Sequence, residues 1–428
     1  MLQNLKIAVV GLGYVGLPIA AAFNRKYPVI GYDISTGRIQ ALTLGLDKTN
    51  EIGREELAKS TIVFTADPSD LKEAGFIIIA VPSAIDGDKM PDLSALQRAS
   101  KYVGEHMKKG AVVVYESIVA PGMTEELCIP LLEKYSGYES GKEFFVGYSP
   151  PRVLAGGKKS SYTKTKKVVA GQNKEVTDFL ALVYGSIVGG GIYKAPSIRV
   201  AETAKLIESI QLDVNVALMN ELAIICERLK IDTLEVLETA GSKRDFVKAL
   251  PGLVGGQGVE LASLYLANKS QLVGHSAEVI LSGRNINEGM GRFVAQSLIK
   301  KMIQENINPA DGRVIVLGLS FKEDVPDLRN SKVIDIVREL KEYGMDVQLA
   351  DPYASTEDAE SFYGTELLTR QQLKPAHAVI LAVPHKPYKE SGWQQFEDLL
   401  IGQRGIVFDV KGVLDMKKKP ERIQFLRL

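Results

Sequence analysis

A glycine pattern near the N-terminus constrains the fold of this chain more than any other feature. The apolar run Lys6–Val10 leads into Gly11-Leu-Gly-Tyr-Val-Gly16, and the helical pattern Ile19–Phe23 follows. This order predicts a strand, a tight turn and a helix. Glycines recur by chance in turns, so the pattern gains its weight from this context.

The same turn predicts a pyrophosphate site. Gly11 permits the tight turn, Gly13 lets the backbone approach a pyrophosphate, and Gly16 lets the helix pack closely on the strand. The helix N-terminus, with Tyr14 and Val15, supplies amides and a positive dipole end to the phosphates.

A carboxylate stands at the end of the second predicted strand. Val29–Tyr32 is followed by Asp33, at the spacing where a carboxylate accepts hydrogen bonds from a ribose hydroxyl. Because this carboxylate would repel a ribose phosphate, NAD is favoured over NADP. Arg38 either covers the adenosine or is a solvated helix residue, and the sequence leaves both interpretations open.

Strand-like and helix-like segments alternate through the first half of the chain. The further strand-like runs are Phe76–Val81, Ala111–Tyr115 and Phe144–Tyr148, and the helical stretches between them include Leu93–His106 and Thr124–Lys134. Such alternation predicts an α/β fold with a mostly parallel sheet and helices on both faces.

The pattern changes near residue 200 and then returns. Val200–Leu229 has the apolar spacing of one long helix, and the chain through Ile303 is mainly helical except for the Gly-rich stretch Pro251–Gly258. From Arg313 a second series of strands and helices begins, without the glycine fingerprint. We therefore predict two Rossmann-like domains joined by a central long-helix region, with boundaries 1–197, 198–303 and 304–428.

Composition excludes several classes of protein. Lys plus Arg and Asp plus Glu each number 52, so the electrostatic attraction that nucleic-acid binders need is missing. Gly, Pro or charged residues interrupt each apolar run short of about 18 residues, and no leader pattern precedes the first strand. We expect a cytoplasmic protein with no membrane partner. The two cysteines, Cys128 and Cys226, predict neither a disulfide framework nor a zinc site, and we assign no metal site.

Seven motifs carry a specific resemblance to the UDP-glucose/GDP-mannose dehydrogenase family, and most closely to its branch acting on UDP-N-acetylhexosamines for surface polysaccharides. They are GLGYVGLP at 11–18, AVPSAID at 80–86, YESIVAPG at 115–122, GYSPPRV at 147–153, VAETAKLIESIQLDVNVALMNELA at 200–223, PGLVGG at 251–256 and GLSFKEDVPDLRNSK at 318–332. The resemblance implies an NAD domain, a central region that forms a homodimer and a C-terminal domain that holds a UDP-sugar.

The resemblance also implies roles for individual residues. Those matching the family's cofactor contacts, beyond the glycine turn, Asp33 and Arg38, are Val81, Pro82, Ser117 and Arg329. Those matching its substrate contacts are Lys205, Gly255, Gly256 and Lys322, and Asp327 would orient the loop that carries Lys322. Members of this family oxidise a sugar C6 alcohol to a carboxylate with two NAD molecules in succession, through a cysteine that captures the aldehyde.

The chain departs from the family where that chemistry is done. Gly258 stands at the nucleophile position, and a glycine cannot attack an aldehyde. Four further positions differ from the expected Asp, Glu, Thr and Asn, namely Ala262, Pro151, Ile118 and Ser209. Only Lys205 of the polar catalytic cluster clearly remains, and the spacing of both cysteines is typical of small buried core residues.

Three hypotheses follow from these departures. The chain binds NAD and a UDP-sugar but cannot complete the two-step oxidation through a thioester. Alternatively, it performs one reversible hydride transfer or an epimerisation, with Lys205 or Tyr265 as the base. For Tyr265 alone, the interpretation as a packed aromatic residue is favoured. A third possibility is a non-catalytic nucleotide-sugar sensor or partner subunit.

Overall fold

Two open sheets organise the chain, in keeping with the predicted alternation of strands and helices. The computed structural model describes residues 5–49, 51–152 and 161–428. It groups the chain into a first unit, Met1–Ser209 with Leu264–Ser276, and a second unit, Ile210–Ser263 with Ala277–Leu428. The last residue of the GYSPPRV motif, Val153, lies outside the described residues.

The first unit contains an eight-stranded sheet and a small hairpin. Its strands are β1 (Ile7–Val10), β2 (Val29–Tyr32), β3 (Val63–Thr65), β4 (Phe76–Ile79), β5 (Ala84–Ile85), β6 (Pro91–Asp92), β7 (Val112–Tyr115), β8 (Phe145–Tyr148), β9 (Lys167–Gly171) and β10 (Ile192–Lys194). The sheet order is β10-β9-β8-β7-β4-β1-β2-β3, and β5 pairs with β6 alone. Only β8 and β9 pair antiparallel within the large sheet. The strand order reverses between β1 and β4, which is where α/β sheets bind ligands.

Helices cover both faces of this sheet. The strands β1, β4 and β7 are accordingly buried along their whole length. They are α1 (Gly16–Asn24), α2 (Thr36–Thr43), α3 (Arg54–Lys59), α4 (Ser94–His106), α5 (Ile129–Ser136), α6 (Ser161–Lys164) and α7 (Lys174–Gly185). A π-helical turn, Thr124–Cys128, precedes α5. The predicted mostly parallel α/β fold is confirmed.

Four helices follow in the central part of the chain. They are α8 (Ile198–Leu229), α9 (Thr233–Ala240), α10 (Gln257–Leu272) and α11 (Glu278–Gln304). The predicted long helix is confirmed, at 32 residues. By length and composition α8 could also cross a membrane, contrary to our reading of the apolar runs. A core helix passes the same test, and α8 buries the ionisable side chains of Glu202 and Asp213.

The second unit contains a five-stranded parallel sheet of order β12-β11-β13-β14-β15. Its strands are β11 (Arg313–Leu317), β12 (Asp346–Ala350), β13 (Ala378–Leu381), β14 (Gly405–Asp409) and β15 (Ile423–Arg427), and its further helices are α12 (Val333–Glu342), α13 (Thr356–Tyr363), α14 (Lys386–Glu390) and α15 (Gln394–Leu399). One core of this unit joins Met290, Leu298 and Met302 of α11 to Val316 and Ile380 of the sheet. The second Rossmann-like fold is confirmed, whereas the three-domain boundaries stay a prediction.

Candidate functional site

The glycine turn follows β1 directly, and two of its glycines are required by the protein itself. Gly11 has a φ of +91°, and its amide donates to the carbonyl of Tyr32 at 2.8 Å. A Cβ on Gly11 would lie 2.8 Å from the carbonyl oxygen of Ala80, and one on Gly16 would overlap the carbonyl group of Gly11. The tight turn and the close packing of α1 therefore depend on these two residues.

Gly13 is different, because the protein offers no packing reason for it. The residue is exposed, and a Cβ added to it would have no neighbouring atom within 4 Å. The N-cap residue of α1, Val15, also provides no side-chain hydrogen bond to the helix N-terminus. A glycine with open space beside it and an uncapped helix N-terminus fit the close approach of a pyrophosphate. Tyr14 and Val15 are half-buried at this end of the helix.

Asp33 directs its carboxylate at the turn. Its Oδ2 accepts a hydrogen bond from the amide of Leu12, and its Oδ1 accepts one from the amide of Ser35, each at 2.9 Å. The side chain is only half-buried, and a carboxylate has about four lone-pair sites. Asp33 can therefore hold the turn and still accept hydrogen bonds from ribose hydroxyls.

Arg38 binds the backbone of the glycine turn, a role that the sequence did not reveal. Its Nε and Nη2 donate to the carbonyl of Leu12 at 3.0 and 2.8 Å, and Nη2 also binds Asp47 at 2.8 Å. Burial raises the pKa of Asp47, but hydrogen bonds from Thr49, Ile52 and Arg38 outweigh it and lower the pKa. The Arg38 side chain is only 12% exposed, so it is not a solvated helix residue; its contact with the adenosine stays a prediction.

The loops after β4 and β7 are tied together beside the turn, at the same edge of the sheet. Ser117 Oγ donates to the carbonyl of Val81 at 2.7 Å, and Ser83 Oγ donates to the carbonyl of Ile118 at 2.6 Å. Pro82 lies exposed between the two anchored residues. The structure thus brings the predicted cofactor residues Val81, Pro82 and Ser117 to the carboxyl ends of neighbouring strands.

Lys205 lies on α8, in the first unit. Burial lowers the pKa of its ammonium group; the charge of Glu208 opposes this, and the charges of Arg152 and Lys167 add to it. Arg152 itself is paired with Glu208. A desolvated lysine among other cations can release its proton nearer to neutrality than an exposed lysine, which is the property required of a base.

A buried ion pair that we did not predict supports the loop before Pro151. Lys167 Nζ lies 2.5 Å from Glu116 Oε2, and the two side chains are 2% and 0% exposed. Tyr184 donates to Glu116 at 2.6 Å, while Lys167 also donates to the carbonyl of Pro150 at 3.2 Å. The pair connects residues 51 positions apart, which no local spacing could indicate.

The second unit holds the PGLVGG loop by its backbone. Asn220 of α8 donates to the carbonyl of Gly252 at 3.0 Å and accepts from the Gly252 amide at 2.8 Å. The Lys411 side chain packs against Gly252 so closely that a Cβ there would overlap its Nζ. Burial lowers the pKa of Lys411, while the charge of Glu323 raises it. The sequence signal for Asn220 was a polar residue on the buried stripe of α8 that also carries Asp213 and Ala217.

The loop after β11 packs on the same glycines. The Phe321 ring lies 3.0 Å from where a Cβ of Gly256 would stand, and the Phe321 Cβ lies 3.1 Å from where a Cβ of Gly255 would stand. Gly256 and Asn330 exchange hydrogen bonds of 3.2 Å through their backbones and the Asn330 side chain. The predicted substrate residues Gly255, Gly256 and Lys322 thus belong to two loops in contact, and Lys322 itself is exposed.

Asp327 is hydrogen-bonded within the loop that carries Lys322, and its orienting role stays a prediction. Its carbonyl accepts from the amide of Phe321 at 3.1 Å, and its carboxylate binds Arg329 at 2.9 Å through Nε and 2.6 Å through Nη2. Arg329 is therefore fixed by an ion pair, and its contact with the cofactor stays a prediction.

Gly258 is the position at which the resemblance predicts a nucleophile, and neither of the chain's two cysteines is exposed. Gly258 lies in the first turn of α10, and Ala262, one turn on, is 1% exposed. Cys226 and Cys128 are both buried. Burial raises the pKa of Cys128 to about 12, despite a hydrogen bond from Tyr115 that lowers it. Both cysteines therefore have the core position that their spacing predicted.

Tyr265 is held as a packed aromatic residue. It is 1% exposed, and its hydroxyl donates to the carbonyl of Ala84 at 2.8 Å. Burial raises its pKa to about 12. Among the described residues there is also no group of three His, Cys, Asp or Glu side chains that could hold a metal ion.

Comparisons with known proteins agree with this geometry. Three models of the UDP-glucose/GDP-mannose dehydrogenase family match the chain: the NAD binding domain at residues 5–188, the central domain at 199–289 and the UDP binding domain at 315–416. Protein CapL of Staphylococcus aureus is 49% identical over 413 residues, 96% of this chain and 97% of its own length. The UDP-N-acetyl-D-glucosamine 6-dehydrogenase of Pseudomonas aeruginosa is 44% identical, over 99% of this chain and 100% of its own.

A solved structure extends the likeness to the whole fold. The UDP-D-ManNAc dehydrogenase of Pyrococcus horikoshii superposes with a TM-score of 0.88 at 30% identity, covering 99% of each chain. The predicted NAD cofactor and a UDP-sugar as small-molecule ligand are thereby supported, together with the expected fold. The chain belongs to the UDP-glucose/GDP-mannose dehydrogenase family of oxidoreductases.

Proposed function

We propose that this chain binds NAD and a UDP-sugar but does not complete the oxidation of a sugar C6 alcohol to a carboxylate. The single observation that carries the proposal is Gly258 at the start of α10, where the family's route needs a thiol. The four other substituted positions remove groups expected to handle protons and water. Backbone features that form binding sites are retained, so loss of the chemical step does not imply loss of binding.

The first unit would hold the cofactor through its turn. The Gly13 backbone and the α1 N-terminus would bind the pyrophosphate, and Asp33 would bind the adenosine ribose. When bound, NAD supplies a hydride acceptor. Val81, Pro82 and Ser117 would line the cofactor's path along the sheet edge. Gly13 is the residue best suited to test this, because nothing else in the fold requires it.

The second unit would hold the nucleotide sugar. The exposed ammonium of Lys322 and the half-buried side chain of Lys411, which packs against Gly252 of the PGLVGG loop, supply positive charge suited to a diphosphate. Relatives named for UDP-N-acetyl-D-glucosamine and UDP-N-acetyl-D-mannosamine favour a UDP-N-acetylhexosamine. We place the protein in the synthesis of polysaccharide precursors, as a cytoplasmic homodimer without nucleic-acid or membrane partners.

A second candidate function is one reversible hydride transfer or an epimerisation. The lowered pKa of Lys205 favours it, because an amine with a lowered pKa gives up its proton more readily and can then accept one from an alcohol. Lys205 is the better base of the two that we considered, because the Tyr265 hydroxyl has a pKa raised to about 12 and is already donating to a carbonyl. A non-catalytic sensor or partner subunit would need the same two binding sites and no base.

Counting the NADH formed per UDP-sugar consumed tests these alternatives. The full-length protein is incubated with NAD and either UDP-N-acetylglucosamine or UDP-N-acetylmannosamine, and products are separated by anion exchange. We expect binding of both ligands by calorimetry and no uronic acid. One NADH, or none with an isomerised sugar, supports the second candidate. Two NADH and a uronic acid would refute the proposal, and a Gly13→Ala variant shows whether any turnover requires the turn.

A further inference from the structure

The second unit contains a turn built like the cofactor turn of the first. Gly318 follows β11 with a φ of +91°, and its amide donates to the carbonyl of Ala350 at 2.8 Å. A Cβ on Gly318 would lie 2.7 Å from the carbonyl oxygen of Val383. Asp351 ends the neighbouring strand and accepts from the amide of Leu319 at 2.7 Å. These relationships repeat those of Gly11 and its surroundings, although the sequence lacks the other two glycines.

The carboxylates of the two turns, Asp33 and Asp351, differ in how many hydrogen bonds they accept from the protein. Asp351 Oδ2 accepts from the amide and hydroxyl of Ser320, each at 2.9 Å, and lies 3.0 Å from His385 Nε2. Its Oδ1 accepts from the amides of Tyr353 and Ala354. The Asp351 side chain is fully buried. A carboxylate with about four lone-pair sites has none left for a ribose here.

His385 ties this carboxylate to the middle of the loop. The imidazole is fully buried, and its Nδ1 accepts from the backbone amide of Asp324 at 2.9 Å. Because Nδ1 accepts, the hydrogen lies on Nε2, which donates to Asp351. Asp324 has a φ of +58°, and its carboxylate accepts from the amide of Lys386 at 2.7 Å. The ring is enclosed by Tyr353, whose ring centre is 5.1 Å away.

The loop is therefore anchored at Ser320 and again at Asp324, with Lys322 midway between the anchors. We propose that His385 is a positioning residue for Lys322. It binds the carboxylate of Asp351, whose counterpart in the first turn, Asp33, would bind a ribose, and through this carboxylate it fixes the loop that would bind the nucleotide sugar. This inference rests on the proposed function, since it assigns a diphosphate to Lys322. A fixed loop loses less conformational entropy on binding, so UDP affinity depends on the anchor.

Two substitutions separate the two hydrogen bonds of the ring. The amide oxygen of His385→Asn can replace Nδ1 as acceptor for Asp324, whereas the amide of His385→Gln reaches towards Asp351 in place of Nε2. We expect His385→Gln, which loses the bond to Asp324, to bind UDP about tenfold more weakly, the size of one lost hydrogen bond. His385→Asn keeps that bond but loses the one to Asp351, and its UDP affinity should fall between those of His385→Gln and the parent. NAD affinity, which depends on the first unit apart from Arg329, should change little in both.

The test is a double-mutant cycle on the full-length protein, with UDP and NAD titrated separately by calorimetry. If His385 acts through Lys322, adding His385→Gln to Lys322→Met should weaken UDP binding no further. Additive losses, equal losses of NAD and UDP affinity, or parent-like UDP affinity in His385→Gln would each overturn the inference. Failure of the parent protein to bind UDP would instead refute the proposed function, and the inference with it.

Discussion

Gly16 lies so close to Gly11 that a Cβ on Gly16 would overlap the Gly11 carbonyl group, whereas a Cβ on Gly13 would meet nothing within 4 Å. The three glycines of the motif are therefore explained by two different physical requirements. Gly11 and Gly16 are required for the strand, turn and helix to pack. Gly13 has no such requirement, which leaves the approach of a ligand as its physical reason.

This contrast predicts opposite outcomes for two alanine substitutions. Gly16→Ala should lower the free energy of unfolding by about 1–3 kcal/mol, because the turn must shift to admit the methyl group. Gly13→Ala should keep the parent melting temperature and weaken NAD binding at least about tenfold. Thermal unfolding and calorimetry on both variants check this. Parent-like NAD affinity in a folded Gly13→Ala protein would remove the turn from the cofactor site.

The ion pair between Glu116 and Lys167 predicts strongly coupled effects on stability. Lys167→Met leaves a buried carboxylate without its cation, and we expect a loss of about 3–5 kcal/mol in unfolding free energy. The double variant Glu116→Gln with Lys167→Met removes both charges and should recover much of that loss. Urea titration of the two single variants and the double variant measures the coupling. Additive losses would show that the two side chains do not interact in solution.

The lowered pKa of Asp351 predicts that the folded protein loses stability in acid. Burial raises its pKa, but the hydrogen bond from His385, with amide hydrogen bonds from Ser320 and Tyr353, outweighs burial and holds the pKa well below 3.8. The unfolded chain then binds a proton that the folded chain does not, so this stabilisation is present above about pH 4 and is lost as the pH falls towards the folded pKa.

Unfolding by urea between pH 7 and pH 3 tests this prediction. The parent should lose stability steeply below about pH 4, and Asp351→Asn should be less stable at pH 7 but fall less steeply. Asp398→Asn, an exposed carboxylate of the same unit, serves as control and should follow the parent. If Asp351→Asn kept the full acid dependence, the loss would have to come from other carboxylates.

Sequence predicted best those features that depend on neighbours along the chain. The order of β1, the glycine turn and α1 could be predicted because strand, turn and helix signals are local. The strands β9 and β10 were missed, since β10 has only three residues and β9 takes its place by pairing antiparallel with β8. The second glycine turn was missed because it contains only one glycine, Gly318, and so lacks the three-glycine spacing of the first turn.

The supports of the site were harder to predict than its loops. Asn220 and Gly252 are 32 positions apart, and Glu116 and Lys167 are 51. Such pairs are defined only when the sheet and helices have brought them together. Motifs indicate which residues of relatives face a ligand. The buried residues that support the motif loops lie far from them in sequence, so no spacing along the chain indicates these contacts.

The buried state of Cys128 predicts that it cannot act as a substitute nucleophile. With its pKa raised to about 12, almost none of the thiol is ionised at pH 8, and iodoacetamide reacts with the thiolate. We expect no alkylation of Cys128 in the folded protein within the time that alkylates it fully in urea, as followed by peptide mass spectrometry. Rapid modification of the native protein would show an accessible thiolate and reopen the search for the nucleophile.

Restoring the family's cysteine should not by itself restore the reaction. In Gly258→Cys the thiol would return, but the groups that move protons and activate water would still be missing, and residues that act as a unit do not contribute additively. We therefore expect no uronic acid from Gly258→Cys alone. Activity should return only when the remaining positions are changed as well, to Asp at 262, Glu at 151, Thr at 118 and Asn at 209. Two NADH per sugar from Gly258→Cys alone would mean that those four substitutions matter little to the chemistry.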